Sequence, residues 1–94
     1  MQRSYVYIMS NKHRNVLYIG VTGDLKTRVW QHKTGEGSTF TRKYNCHYLV
    51  YYEDYNDIRN AIAREKQLKE WKRSWKLNLI KSENPTMIDL AAEW

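Results

Sequence analysis

The chain has 94 residues, with 16 lysines and arginines against 10 aspartates and glutamates, a formal net charge of +6 and a single cysteine. That length supports one core, burying only about 60–65% of the unfolded surface, and leaves no room for a second catalytic domain; 41% hydrophobic and 14% aromatic residues exclude a disordered chain. Cys46 alone can form neither an intramolecular disulfide nor a thiolate zinc cluster, and no apolar run approaches the ~18 residues of a membrane span.

Met1-Gln2-Arg3 leads into a strand pattern instead of a signal-peptide apolar region, so a cytoplasmic location is expected. Ser4 to Met9 and Val16 to Val21 are β-branched and aromatic runs on either side of the polar, turn-prone segment Ser10 to Asn15, which reads as a β-hairpin. A loop centred between Lys12 and His13 sets Tyr7 directly across from Tyr18. Asp24 then caps a short helix from Leu25 to about Lys33, on which Leu25, Arg28, Val29 and His32 share a face, so that a cation and an imidazole ride with the apolar stripe.

Thr34 to Thr39 is a loop and Phe40 to Tyr44 a helical turn. His47 to Glu53 reads as a third strand, with Leu49 and Tyr51 on one face and Tyr48, Val50 and Tyr52 on the other. Asp57 caps a helix from Ile58 to about Lys72 whose stripe is Ile58, Ala61, Ile62, Glu65 and Leu68, with a carboxylate near its centre. Ser74 opens a further helix with Leu77, Leu79 and Ile80, and Asn84-Pro85, a cap residue followed by proline, starts a last short helix over 85–94. The order ββαβααα describes one α+β domain, a small three-stranded antiparallel sheet flanked by helices, with its core over about residues 4–80.

The charge alternates along the chain: residues 1–43 and 59–81 are basic, residues 44–58 and 82–94 acidic. Folded onto one face, the basic blocks would form a polyanion-binding surface; splayed, they are a solvated exterior. The sharper signal is a set of inward-facing polar groups: the hydroxyls of Tyr7 and Tyr18, the guanidinium of Arg28, the imidazole of His32 and the carboxylate of Glu65. Singly, each has a structural explanation, including an i,i+4 pair of Glu65 with Lys69. Together they match what phosphodiester hydrolysis needs: a base for water, a carboxylate for a hard metal, a cation for the phosphate and a proton route to the leaving oxygen.

These residues also carry a family resemblance. Tyr5-Val6-Tyr7, then Tyr18-Ile19-Gly20, then Arg28, His32 and Glu65 in a later helix, resemble the GIY-YIG nuclease superfamily, including the N-terminal nuclease of the excision-repair UvrC proteins. The ending Lys76 to Ile80, with Asn84-Pro85 and Asp89-Leu90 beyond, is similar to the small stand-alone UPF0213-type members. The resemblance implies a DNA endonuclease with a DNA-repair association. In it Glu65 binds one Mg2+ or Mn2+, Arg28 holds the scissile phosphate, His32 transfers or positions a proton and a tyrosine activates water, with Tyr18 favoured and Tyr7 beside it. It also implies an active-site amide, Asn78 first and Asn84 second.

A phenol with its usual pKa near ~10 is a poor base at neutral pH, so a metal or cation must favour the phenolate. Two departures stand out. Tyr5 occupies the place of the first glycine in the family's name, and the chain reads as a bare catalytic unit without an appended DNA-binding domain, so targeting rests on backbone electrostatics or a protein partner. Lys26, Arg42, Lys43 and Lys69 are candidate phosphate contacts. Gly35-Glu36-Gly37-Ser38 lacks the ending of a phosphate-binding loop, Trp71 and Trp75 read as core before base-stacking residues, and Cys46-His47 with His13 and His32 has no zinc spacing. The rival functions are a non-catalytic nucleic-acid-binding module on the same fold and a protein-interaction domain docking through its tryptophan-rich helices.

Overall fold

The computed structural model describes residues 3–94; Met1 and Gln2, on which part of the signal-peptide reading rests, lie outside them. Two strands, β1 (Ser4–Ser10) and β2 (Leu17–Thr22), pair antiparallel, and β3 (Tyr48–Tyr55) pairs antiparallel on the other side of β1, giving the sheet order β2-β1-β3. Between β2 and β3 come α1 (Leu25–Lys33) and the five-residue α2 (Thr39–Lys43), which is the helical turn expected near Phe40. After β3 follow α3 (Ile58–Glu70) and α4 (Arg73–Glu83). The expected three-stranded antiparallel sheet flanked by helices is the architecture found.

The hairpin register differs from the symmetric-loop expectation. Tyr7 pairs with Gly20 and Met9 with Tyr18, because Ser10 pairs with Leu17 and the loop is centred one residue later. Asn11 sets that loop: its Oδ1 accepts from the amides of Asn15 at 3.0 Å and Val16 at 3.1 Å. The displacement moves the partner strand by two residues, so Tyr7 and Tyr18 keep the same face, as the two-residue side-chain period requires. In β3 a bulge intervenes, since Ile8 pairs with Tyr51 but Met9 with Leu49. The extra residue rotates Tyr51 to the face of Val50 and away from that of Leu49, overturning the expected Leu49–Tyr51 pairing of faces.

Two cores follow, one on each side of the sheet. Val6, Ile8, Ile19, Val50 and Tyr51 pack against Ala61 and Leu68 of α3 and Ile80 of α4. Tyr7, Met9 and Leu49 pack against Leu25 and Val29 of α1, with Cys46 and Ala91. Asp24 and Asp57 open α1 and α3 as the sequence predicts, accepting from the amides of Thr27 and Arg59, and Ser38, which the sequence pattern assigns to a loop, caps α2 by accepting from the Thr41 amide. Ser74, expected to open the next helix, instead lies in the first turn of α4. Lys72 precedes α4 and makes no side-chain cap.

Residues 85–94 run in turns, where the sequence predicts a helix. Asn84 ends α4 instead of opening another helix, and its buried amide donates to the carbonyls of Val50 (3.0 Å) and Ile88 (2.9 Å) while accepting from the Ile88 amide (3.1 Å). The tail then lies along β3: Leu90 N–H bonds Leu49 O at 2.8 Å, and Asp89 Oδ1 accepts from Leu49 N at 3.0 Å. These bonds satisfy backbone groups of an edge strand that would otherwise be open to pairing with other chains. No helix of the described residues is long and apolar enough to cross a membrane.

Candidate active site

Gly20 has no side chain, and that fixes where Tyr7 can lie. A Cβ on Gly20 would stand 2.5 Å from both Cζ and Oη of Tyr7. The hydroxyl end of the ring therefore occupies the space a side chain at Gly20 would take, a close approach that only glycine in mid-strand allows. Tyr7 is 1% exposed and His32 fully buried, and Tyr7 Oη sits 2.8 Å from His32 Nε2. The other ring nitrogen, Nδ1, is 2.9 Å from Thr41 Oγ1, which lies 2.9 Å from Ser38 Oγ. A neutral imidazole carries one N–H, so it donates one of these two bonds and accepts the other.

A second glycine makes room for the imidazole. A Cβ on Gly37 would come within 2.0 Å of His32 Nδ1. The Gly35-Glu36-Gly37-Ser38 loop is thus a wall of the site, and Thr41 and Ser38 are members of its hydrogen-bond chain. Sequence reasoning named Gly20 only as part of the Tyr18-Ile19-Gly20 motif, without its role beneath Tyr7, and missed Gly37 and Thr41. The available signal was the glycine inside a strand, which marks close backbone approach.

Tyr18, on the same sheet face, is half-buried; its ring lies 6.4 Å from that of Tyr7 and 5.4 Å from that of His32. Its hydroxyl makes no hydrogen bond among the described residues, in contrast to that of Tyr7. Arg28 is half-buried on α1, four residues before His32. Its Nη1 donates to Gln31 Oε1 at 2.9 Å, and among the described residues it pairs with no carboxylate.

Burial pushes the Tyr7 phenol up to about 12, with Tyr18 and the Glu65 carboxylate adding to the rise and the Arg28 cation opposing it. Burial likewise pulls His32 down to about 4, helped by the charges of Arg28 and His47. Both groups are therefore neutral at physiological pH.

Glu65 enters from α3, which covers the opposite face of the sheet, and it still lies close enough to Tyr7 to act on its phenol. Its side chain is 17% exposed and pairs with Lys69 Nζ at 3.3 Å. The i,i+4 pair foreseen as the structural explanation thus exists, but with the carboxylate mostly enclosed. Among the described residues no group of three or more His, Cys, Asp or Glu side chains gathers around a common point. Glu65 is the residue here that would offer a divalent ion a hard carboxylate donor, a donor type that suits Mg2+ or Mn2+.

Of the remaining candidates, Asn78 is exposed on α4 and makes no side-chain hydrogen bond with these residues, whereas the amide of Asn84 is committed to the tail. Lys26, Arg42, Lys43 and Lys69 are all exposed. Trp71 packs against the α3–α4 core as expected, but Trp75, edge to face with it at 6.1 Å, is half exposed instead of core, since only Trp71 faces the buried cluster.

A small antiparallel sheet that brings two tyrosines, an arginine and a histidine to one face, with a glutamate on the helix beyond, has the arrangement of a GIY-YIG catalytic domain. The chain belongs to that family: residues 3–78 match the model of the GIY-YIG catalytic domain, and the membership supports a nuclease role on a nucleic-acid substrate. Within it the chain groups with proteins called UPF0213. It is 38% identical over 81 residues to one from Clostridium perfringens, covering 86% of each chain. It is also 35% identical over 80 residues to one from Staphylococcus haemolyticus, covering 85% of this chain and 96% of that one. The solution structure of a UPF0213 protein from Bacillus halodurans superposes with a TM-score of 0.58 at 27% identity, over 89% of this chain and 88% of that one.

Proposed function

We propose that the protein is a metal-dependent endonuclease that hydrolyses phosphodiester bonds of DNA. The observation that carries this reading is the division of labour on one sheet face: Tyr7 and His32 are locked to each other, while Tyr18 and Arg28 keep a free hydroxyl and a cation without a carboxylate partner. An arginine left unpaired beside buried aromatic groups is suited to a phosphate, which its planar fork can grip through two oxygens.

In this reading the Arg28 guanidinium holds the non-bridging oxygens of the scissile phosphate. Tyr18, acting in its phenolate form, takes a proton from the attacking water as the water oxygen bonds to phosphorus, and the bond to the leaving oxygen breaks with that oxygen protonated by solvent water. Tyr7 is kept protonated by burial and serves to position Tyr18 and His32, which favours Tyr18 over Tyr7 as the base. Glu65 is the residue that would hold a divalent ion, which when bound supplies positive charge to the phosphate oxygens and to the attacking water. With +6 over 94 residues, binding to the DNA backbone is electrostatic and weakens as salt rises.

The test is nicking of supercoiled plasmid with Mg2+ or Mn2+. Wild-type protein is expected to convert plasmid to the open circle, and folded Glu65→Ala and Arg28→Ala proteins to lose at least about 100-fold in rate. Equal nicking by wild type and both variants would overturn the reading.

A further inference from the structure

The helical turn α2 carries two aromatic rings that the core does not consume. Phe40 and Tyr44 are each 42% exposed, with ring centroids 4.8 Å apart. Phe40 also lies 5.7 Å from the ring of Tyr18, so a row of three aromatic groups runs from the candidate water-activating residue out to solvent. The row is rigidly placed. Thr41, between the two, is 1% exposed and bonded to His32, and Ser38 caps the turn, so α2 is tied to the interior of the site by the chain that orients the imidazole.

The charge along this segment is mostly positive. Arg42 and Lys43 are exposed, make no ion pair among the described residues, and Lys43 Nζ sits 5.3 Å from the Tyr44 ring. Glu36 is the only acidic residue between Thr34 and His47. Exposed rings interleaved with cations are the surface on which unpaired bases stack while their phosphates are neutralised; the paired bases of a duplex present edges and backbone but no free ring face.

Resting on the endonuclease reading above, we propose that Phe40 and Tyr44 form a stacking platform for an unpaired base next to the scissile phosphate, with Arg42 and Lys43 on the flanking phosphates. The preferred substrate is then DNA that is single-stranded at the cleavage position. The platform seats a base beside Tyr18 and thereby sets the register of the neighbouring phosphate against Arg28. Fully paired duplex can use only the cations.

Binding measured without divalent metal separates this proposal from catalysis. A fluorescein-labelled single strand of about 12 nucleotides and the same sequence as a blunt duplex are titrated with the full chain in EDTA, with anisotropy as the readout. The single strand is expected to bind about tenfold more tightly, and Phe40→Ala/Tyr44→Ala to lose about tenfold on the single strand with the duplex affinity unchanged. Arg42→Ala/Lys43→Ala is expected to weaken both ligands and to flatten the salt dependence, which the aromatic pair leaves as it was. Tyr44→Ala alone, at a ring that does not touch Tyr18, gives the same direction of change without risk to the site. Equal affinity for single strand and duplex, or single-strand binding unaltered in Tyr44→Ala and in the double variant, would overturn the platform. Failure to cleave either plasmid or the labelled single strand with Mg2+ or Mn2+, with this binding pattern intact, would overturn the endonuclease reading alone.

Discussion

The hydroxyl of Tyr7 lies 2.8 Å from Nε2 of His32, and both side chains are sealed from solvent. This pair joins the sheet to α1 at the centre of the site, and its energetics depend on the ring staying neutral. In the unfolded chain a histidine titrates near ~6.5, whereas in the fold burial holds His32 down to about 4. Between those values the unfolded state binds the extra proton, so stability is complete above ~6.5 and is lost as pH falls toward 4, with a ceiling of about 3 kcal/mol. Denaturant midpoints measured across that window are expected to fall steeply in the wild type and more gently in His32→Gln, whose side chain has no such titration. A wild-type midpoint independent of pH from 7 to 4 would contradict the buried neutral imidazole.

The two glycines that border this pair are expected to be intolerant of even a methyl group. At Gly20 the new Cβ would meet Tyr7 Cζ and Oη at 2.5 Å, and at Gly37 it would meet His32 Nδ1 at 2.0 Å. Neither ring can retreat, because each is held by the other, and crowding a packed interior costs about 1–3 kcal/mol. Gly20→Ala and Gly37→Ala should each unfold at lower denaturant by that amount and lose nicking activity more than stability. Thermal or chemical denaturation beside the plasmid assay checks both parts.

The contrast between these glycines and the candidate site residues shows what the sequence makes legible. Arg28, His32 and the helix around them follow from a 3.6-residue period and a capping aspartate, and α1 runs over the expected residues. The shared face of Tyr7 and Tyr18 was also legible, because a slip of two residues in register leaves a strand's faces unchanged. Tyr51 was not, since one bulged residue in β3 reverses the alternation and nothing in Leu49-Val50-Tyr51 announces it. The tail misled for a different reason. Asn84-Pro85 has the local form of a helix start, but the Asn84 amide finds better partners in Val50 and Ile88, long-range contacts that no local pattern encodes.

That commitment makes Asn84 a stability residue. It is 4% exposed and satisfies three backbone groups at once, so Asn84→Ala leaves the Val50 carbonyl without its donor and frees the tail from β3. An unsatisfied buried group costs about 1–3 kcal/mol. Asn84→Ala is therefore expected to lower stability by that much and to speed amide exchange at Leu90, with nicking per folded molecule unchanged. A selective loss of activity at full stability would instead make Asn84 the active-site amide.

The two tyrosines should separate in kinetics as they do in the structure. Tyr18→Phe removes a hydroxyl that has no internal partner, so the fold loses nothing, while the proposed proton acceptor for water disappears; a general base typically contributes 100-fold or more. Tyr7→Phe strands the His32 nitrogen in the interior, which costs about 1–3 kcal/mol in stability, and touches the reaction only through the position of its neighbours. Single-turnover cleavage is thus expected to fall at least about 100-fold in Tyr18→Phe with unfolding unchanged, and by less in Tyr7→Phe with unfolding shifted. The reverse pattern would transfer the role of base to Tyr7.

Lys69 holds the Glu65 carboxylate at 3.3 Å, and a divalent ion would have to compete with that ammonium for the same oxygens. An i,i+4 pair with a half-exposed lysine stabilises a helix by only about 0.3–0.5 kcal/mol, so its loss barely affects folding. Removing the competing charge strengthens the field that a cation meets at Glu65. Lys69→Ala is accordingly expected to reach half-maximal nicking at a Mn2+ concentration about two- to fivefold below that of the wild type, with a small loss of DNA affinity at low salt. Glu65→Gln keeps the shape of the side chain and removes its charge, and should abolish the metal response at every concentration. A Mn2+ titration of nicking with the three proteins decides between a carboxylate that binds the ion and one that serves only to pair with Lys69: in the second case Lys69→Ala leaves the midpoint unmoved and Glu65→Gln remains active.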